Sequence, residues 1–222
     1  MLTESNPANA QGFNDTFKTG TFMGVNVLSI KDIDWAAKVL EQAFYKDPML
    51  NFIYGDTINI PGKLNSFFRA TFRLAALYGD CFSTAEKDGV LMMLPPDKTK
   101  MTIGMMYKSG MLAAPFKMGW ASFSRMMTFM EFSEKEHKAA TSSDHYYLMT
   151  VGVVPERQGQ GVGKKLMTRA LEIVDANKVQ CYLETQNKNN IPIYQKFGFE
   201  VVSDKEIPTG GLHNWGMLRQ KR

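Results

Sequence analysis

Hydrophobic positions in the first half of the chain follow two spacings, which predict strands and helices in turn. Residues 23–30 alternate well enough between apolar and polar side chains to predict a strand. Apolar residues then recur at helical spacing over 33–44, and Asp47-Pro48 interrupts that pattern. A second amphipathic helix is predicted over 63–78.

A hairpin and a helical segment follow. Two apolar runs flank Asp88-Gly89, a dipeptide typical of a tight turn between antiparallel strands. Residues 99–140 then predict two or three helices, punctuated by Gly110 and Pro115. This segment is rich in methionine, whose flexible side chain fills cores or lines adaptable apolar surfaces.

The last third of the chain predicts four strands separated by two helices. The strands are expected over 145–154, 180–185, 199–206 and 212–219, and the longer helix over 162–176. The shorter helix has Asn190 in the N-cap position and Pro192 in its first turn. The whole order predicts an α/β fold with a mixed, mostly antiparallel sheet.

Length and composition limit the class of protein. The 222 residues fit one domain over 23–222, preceded by a polar tail over 1–22 without the apolar core of a secretory signal. No apolar run is long enough for a membrane span, and a net charge of +4 falls short of a dedicated nucleic-acid binder. We therefore expect a cytoplasmic protein with neither a membrane nor a nucleic acid as partner, and a monomer or homodimer.

Cysteine and histidine usage argues against a disulfide framework and against a bound metal. Cys81 and Cys181 lie a hundred positions apart, and the three histidines are scattered without the spacing of metal ligands. We expect no metal cofactor.

A glycine-rich turn at the end of a predicted strand is the strongest chemical signal. It follows Pro155 and opens directly into the helix over 162–176. A helix N-terminus presents unpaired N–H groups, and glycines allow an anion to approach the backbone. The turn therefore fits a phosphate cradle, although tight turns need glycine for purely structural reasons as well.

The motif Gln158-x-x-Gly161-x-Gly163 resembles the pyrophosphate-binding motif of the GNAT superfamily of acetyl-CoA-dependent N-acetyltransferases. A second motif of that family matches Leu183-Glu184-Thr185 and the stretch up to Phe197-Gly198-Phe199. Residues 144–220 are similar in particular to the puromycin N-acetyltransferases.

The resemblance implies a GNAT fold, in which the strands matching 145–153 and 180–185 run parallel and splay apart to admit acetyl-CoA. A helical insertion would precede the first of these strands. The cofactor-binding residues that it implies are Val151, Gly152, Val153, Gln158, Gly159, Gln160, Gly161, Val162, Gly163, Lys164, Asn187, Asn190 and Tyr194. Arg157 and Lys165 are either additional phosphate contacts or part of a solvated basic surface.

Two residues are the catalytic candidates. Within the family motif, Tyr194 is predicted to be the general acid that protonates the leaving thiolate. Glu184 is the first candidate for the base that deprotonates the acceptor ammonium, and a structural role for its carboxylate is the alternative. Asp47 is a second carboxylate candidate, and His137 or His145 would be a further choice.

The implied activity is transfer of an acetyl group from acetyl-CoA to a primary amine of a small molecule, for instance an antibiotic or other xenobiotic, in a ternary complex. Two alternatives are acetylation of protein N-termini or lysines, and a non-catalytic acyl-CoA-binding module. Part of the methionine-rich segment, with Phe116, Trp120, Phe123 and Phe129, is expected to wall an apolar acceptor pocket, while most of it packs on the sheet.

Overall fold

The computed structural model describes residues 21–22, 24–141 and 144–222. All but the last two residues of the predicted tail over 1–22 lie outside the described residues, as does Met23. The described part contains one eight-stranded sheet in the order β1-β2-β3-β4-β5-β6-β8-β7. Its strands are β1 Thr21–Phe22, β2 Val25–Val27, β3 Asp80–Thr84, β4 Gly89–Leu94, β5 His145–Val153, β6 Gln180–Thr185, β7 Glu200–Glu206 and β8 His213–Arg219.

Eight α-helices flank the sheet in the described residues. They are α1 Ile33–Phe44, α2 Pro48–Tyr54, α3 Lys63–Tyr78, α4 Ile103–Ser109, α5 Ala114–Met118, α6 Trp120–Ala140, α7 Val162–Ala176 and α8 Ile191–Gln195. The predicted α/β fold with a mixed sheet is confirmed, and the predicted helical insertion before β5 consists of α4, α5 and α6.

Three of the predicted strands are one residue shorter in the structure, and two other boundaries differ by more. The strand expected over 23–30 spans only Val25–Val27 among the described residues. Asp47-Pro48 ends one helix but also begins α2, because the Asp47 carboxylate accepts from the N–H groups of Met49 and Leu50 at 3.0 and 3.2 Å. Proline is tolerated in a first helical turn, where its missing N–H has no intrahelical partner anyway.

The hydrophobic core lies on both faces of the sheet. On one face α7 buries Leu166, Ala170 and Val174 against a cluster that includes Leu91 and Leu183. On the other face α1, α2 and α3 bury their apolar stripes against β3 and β4. Because both faces are covered, β4 is buried along its whole length.

The sheet opens in its middle, between β5 and β6. These two strands pair in parallel from His145–Gln180 to Leu148–Leu183, whereas the other strand pairs are antiparallel. The register between β4 and β5 shifts at Met149, which is an extra residue in β5. A bulge bends its strand, and pairing of β5 with β6 ends here, so the two strands splay apart beyond this point.

Helix α6 is attached to the far end of the sheet through a buried carboxylate. Glu136, 4% exposed, accepts from Ser203 Oγ at 2.7 Å and from Lys205 Nζ at 2.9 Å. Burial alone would raise the pKa of Glu136, but these two hydrogen bonds outweigh it and hold that pKa below its ordinary value.

We expect Lys205→Met to lower the free energy of unfolding at neutral pH by about 1–2 kcal/mol, because it leaves the buried Glu136 carboxylate with one donor fewer. A folded-state pKa below the unfolded value contributes stability above the unfolded pKa, and this contribution is lost as pH falls through the folded pKa. The difference between variant and wild type should therefore shrink in acid. Chemical denaturation at several pH values measures it.

Lys138→Met is the matched control on the same helix, since it removes the exposed pair with Glu134 at 2.6 Å. Exposed pairs contribute little, so the control should change the free energy of unfolding by less than about 0.5 kcal/mol. Equal effects of the two variants would contradict a special role for the buried pair.

The helices in the described part of the chain include none with the length and hydrophobicity of a membrane span.

Candidate active site

The open edge of β5 faces the gap between the splayed strands. The Val154 N–H donates to the Asp88 carbonyl at 2.9 Å, on the β4 side. Backbone groups alternate sides along a strand, so those of Val151 and Val153 point to the opposite side, into the gap. The Gln158 side-chain amide donates to the Val153 carbonyl at 3.0 Å, which shows that this carbonyl is accessible from the gap.

Gly152 keeps β5 close to α1. A Cβ at this position would lie 2.7 Å from Phe44 Cε2 and 2.9 Å from Leu40 Cδ2. Position 152 therefore has a packing role that is independent of any ligand, since the space between α1 and β5 is too small for a methyl group.

The glycine-rich turn leaves the N-terminus of α7 open. Gly161 is the N-cap residue with φ +84, and Gly159 has φ +75, both in the left-handed region that favours glycine. A Cβ at either glycine would meet no atom within 4 Å. In the part of the chain that the structure describes, the N–H groups of residues 162–164 have no hydrogen-bond partner. The turn can therefore accept an anion such as a phosphate.

The charged residues near this turn differ in their roles. Arg157 donates from Nε to the buried Asp88 carboxylate at 3.0 Å. Burial would raise the pKa of Asp88, but hydrogen bonds from Thr84 and Arg157 hold it below its ordinary value. Arg157 therefore stabilises the β3–β4 turn, whereas Lys164 and Lys165 are exposed on the first turn of α7.

Asn187 and Asn190 organise the connection from β6 to α8. The Asn187 side chain accepts from the Asn189 N–H at 3.1 Å, and the Asn190 side chain donates to Thr185 Oγ1 at 3.2 Å. Asn190 occupies the N-cap position of α8, but its side chain makes no capping hydrogen bond. The predicted N-cap position is therefore confirmed, but the side-chain amide holds the end of β6 instead of capping the helix.

Tyr194 lies on α8 and packs against the same core cluster as Val151 and Val153. Its ring packs edge-on to Phe199, with centroids 6.1 Å apart, in the core cluster on the α7 face. Burial, and to a smaller extent the nearby Asp47 carboxylate, raise the pKa of Tyr194 to about 12. The hydroxyl is therefore a neutral proton donor at physiological pH.

Asp47 is both a helix cap and a neighbour of Tyr194. One carboxylate oxygen caps α2, as described above. Burial raises the pKa of Asp47, and the hydrogen bonds from the Leu50 and Met49 N–H groups oppose that rise. The capping hydrogen bonds explain the position of the Asp47 carboxylate, so no contact with a substrate is needed to explain it.

Glu184 lies directly after Leu183, the last residue of β6 that pairs with β5, and is surrounded by hydroxyl groups. Its carboxylate accepts from Ser133 Oγ, from Tyr182 Oη at 3.1 Å and from Tyr147 Oη at 3.5 Å. Loss of hydration raises the pKa of Glu184 above its ordinary value, and these hydrogen bonds oppose the rise. A carboxylate with a raised pKa is a stronger base than an exposed glutamate, which suits it to accept a proton.

The two histidine candidates form a pair beside this group. The Nε2 atoms of His137 and His145 are 2.7 Å apart, and the His137 ring stacks on Tyr182 with centroids 4.2 Å apart. Burial and the neighbouring His145 lower the pKa of His137 to about 4. His137 is therefore neutral at physiological pH, and its ring packs against the tyrosine that bonds Glu184.

The methionine-rich segment is less buried than expected. Phe116 and Trp120 are 92% and 76% exposed, whereas Phe129 is buried against Ile207 and Leu212. The expectation that these side chains pack on the sheet or wall a pocket is therefore wrong for Phe116 and Trp120, although Met105 and Met118 in the same part of the segment are buried. The part of α6 that reaches Glu184 instead carries Ser133.

Three hydroxyl donors to Glu184 were missed by the sequence analysis. Tyr147 and Tyr182 lie on neighbouring parallel strands in register, and both side chains can therefore share one face with Glu184. That signal was present in the sequence. Ser133 was not predictable, because its contact joins residues 51 positions apart.

Comparison with known proteins identifies the class. Residues 117–199 match the family model of the acetyltransferase (GNAT) family. The chain is also 26% identical over 185 residues to an uncharacterised N-acetyltransferase of Schizosaccharomyces pombe. This alignment covers 80% of this chain and 74% of the relative. Residues 117–199 are therefore similar to the GNAT acetyltransferase domain, while the narrower likeness to puromycin N-acetyltransferases remains a prediction.

Solved structures share the fold. Arylalkylamine N-acetyltransferase 2 of Aedes aegypti has a TM-score of 0.62 at 13% identity, covering 89% of this chain and 98% of that one. The polyamine N-acetyltransferase of Drosophila melanogaster has a TM-score of 0.59 at 11% identity, covering 88% and 98%. The histone acetyltransferase HPA2 and related acetyltransferase of Corynebacterium glutamicum has a TM-score of 0.60 at 21% identity, covering 89% and 96%. At these identities the likeness shows the GNAT fold alone.

Proposed function

We propose that the protein is an acetyl-CoA-dependent N-acetyltransferase that acetylates a primary amine of a small molecule in a ternary complex. The observation that carries the proposal is the gap between β5 and β6, which has an open helix N-terminus at one end and a proton donor and acceptor beside it. The GNAT domain supports the reaction class, and the structural neighbours named for polyamines and arylalkylamines support the acceptor class. The proposal includes the cytoplasmic location predicted from the sequence.

The residues that would hold acetyl-CoA fit its chemistry. The turn over 158–161 and the N–H groups of residues 162–164 offer donors to a pyrophosphate, next to the exposed charges of Lys164 and Lys165. The backbone of Val151 and Val153 would pair with the amides of the pantetheine arm, as an added strand does. Arg157 is left out of this set, because it is paired with Asp88.

The two catalytic candidates have complementary tasks. Acetyl-CoA supplies the activated acyl group when it is bound. Glu184 accepts a proton from the acceptor ammonium, which frees the nitrogen lone pair to form the new C–N bond. Tyr194 donates its hydroxyl proton to the sulfur as the C–S bond breaks, and the backbone N–H near Val151 would stabilise the charge that develops on the carbonyl oxygen.

Free-thiol release measured over a panel of amines tests the function. The panel should contain an arylalkylamine, a polyamine, an aminoglycoside, amino acids and a peptide with a free N-terminus. Acetylation of a small amine, confirmed by product mass, is the expected result. Peptide acetylation alone would instead favour a protein acetyltransferase, and acetyl-CoA binding with no product over the whole panel would favour a non-catalytic module.

Gly161→Glu should abolish the stabilisation that acetyl-CoA provides, because it places charge and bulk where a phosphate is expected. At a ligand concentration about 100 times Kd, wild type should gain about 2.7 kcal/mol of stability, visible as a rise in melting temperature. Gly161→Ala is the matched control, since both variants bear the same cost of a side chain at φ +84, roughly 1–2 kcal/mol. The alanine variant should keep a ligand-induced shift. An undiminished shift in Gly161→Glu would remove this turn from the cofactor site.

A further inference from the structure

The outer surface of the helical insertion exposes large apolar side chains. Ile103 and Tyr107 on α4 are 78% and 73% exposed, in addition to Phe116 and Trp120 described above. Leu112, between α4 and α5, is exposed as well. We call these five residues the outer face. An apolar surface of this kind on a folded domain typically marks an interaction site.

The inner residues of the same segment show that this face points away from the domain. Met105 and Ser109 are the buried residues of α4, and Met118 is the buried residue of α5. Lys63 on α3 donates from Nζ to the Met118 carbonyl at 3.1 Å, and α4 and α5 both pack on α3. The outer face therefore lies opposite the side that is attached to the core.

The charges of residues 98–130, which include the outer face, all have one sign. Residues 98–130 contain five basic residues and no aspartate or glutamate. Lys98 pairs with Asp97, and Arg125 donates to the Ile53 carbonyl at 2.8 Å. The other three are exposed and have no ion pair within the described residues: Lys100, Lys108 and Lys117.

We propose that the outer face docks on the surface of an anionic lipid membrane. Trp, Phe and Tyr side chains insert at the boundary between headgroups and acyl chains, and lysines beside them bind anionic headgroups while their stems lie on the apolar layer. The protein would then lie on the membrane surface. This inference does not rest on the proposed catalytic function.

Charge complementarity favours this occupant over the alternatives. If the outer face met the same face of a second copy, lysines of like charge would be brought together in an apolar contact, which is unfavourable. A nucleic acid would suit the lysines, but it offers no apolar layer for Ile103 and Leu112. An anionic membrane satisfies both the lysines and the apolar side chains.

Vesicle flotation of the full chain tests the proposal. We expect binding to phosphatidylcholine vesicles that contain phosphatidylserine, little binding to phosphatidylcholine alone, and loss of binding at high salt. The double variant Phe116→Ser/Trp120→Ser should weaken the partition coefficient about tenfold or more, because both side chains lose their apolar insertion. Its melting temperature should stay close to that of wild type, since both side chains are exposed.

Matched control variants test whether vesicle binding depends on the outer face or only on the number of exposed apolar side chains and on the net charge of the chain. Ile60→Ser/Val202→Ser removes two exposed apolar side chains elsewhere, and it should leave binding unchanged. Lys108→Glu/Lys117→Glu should abolish binding, whereas Lys178→Glu/Lys221→Glu changes net charge equally and should not.

Four results would overturn the proposal. They are absence of vesicle binding, equal binding with and without phosphatidylserine, equal loss in the matched control variants, and a wild-type dimer that Phe116→Ser/Trp120→Ser converts to a monomer.

Discussion

Tyr194→Phe is expected to lower kcat about 10²-fold or more while leaving the affinity for acetyl-CoA nearly unchanged. The substitution removes the proton donor but keeps the ring, which packs on Phe199. One positioned general acid contributes about 10²–10⁴-fold to rate. Because phenylalanine keeps the ring contact with Phe199, the substitution should not disturb the fold. Thiol release gives kcat, and calorimetry gives the dissociation constant of acetyl-CoA.

Tyr78→Phe is the control for this experiment, since it removes a tyrosine hydroxyl at the end of α3, outside the proposed site. It should retain wild-type kcat. Wild-type turnover in Tyr194→Phe would show that water or another group protonates the thiolate. A large loss of acetyl-CoA affinity with unchanged kcat would assign Tyr194 to binding rather than to proton transfer.

Glu184→Gln is expected to lower kcat/KM by about 10²–10⁴-fold, the range for a general base. The base acts when it is deprotonated, so wild-type activity should rise with pH through the raised pKa of Glu184. This rising limb should be absent in the glutamine variant. Glutamine keeps the size and an acceptor oxygen for the surrounding hydroxyl groups, which limits structural disturbance. The pH profile of kcat/KM measures both effects.

Ser133→Ala provides the matched comparison, because it keeps the Glu184 carboxylate and removes one donor to it. Hydrogen bonds to a carboxylate favour its charged form, and the Ser133 hydroxyl lowers the pKa of Glu184. The rising limb should therefore move to higher pH in Ser133→Ala, with activity retained above it. If the pH profile of Glu184→Gln still shows the rising limb, Glu184 has a structural role and is not the base. His137 and His145 would then be tested as the base.

The elements that depend on local sequence were predictable. Helices over 63–78 and 162–176 and the strand over 180–185 have the predicted bounds. Each has a regular apolar spacing of its own and ends where that spacing ends. Helix α2 was missed, because Asp47-Pro48 interrupts one helical pattern and begins another at the same place.

The candidate site was predictable only in part. The glycine turn and Tyr194 came from contiguous motifs, which one sequence can show. The environment of Glu184 depends on the position of α6 over the sheet, and no local pattern specifies that position. Exposure of Trp120 was equally unpredictable, because an apolar residue in a helix gives no indication of whether a neighbour covers it.

The extra residue at Met149 gives the sheet a protected interior edge. Strand edges with free backbone groups invite pairing with other chains, and proteins usually have to blunt them. Here the backbone groups of Val151 and Val153 that point away from β4 lie between two strands of the same sheet rather than on its outer edge, and the Val153 carbonyl is already covered by the Gln158 side chain. A slender ligand can thus be recognised by main-chain hydrogen bonds without creating a surface on which the protein would aggregate.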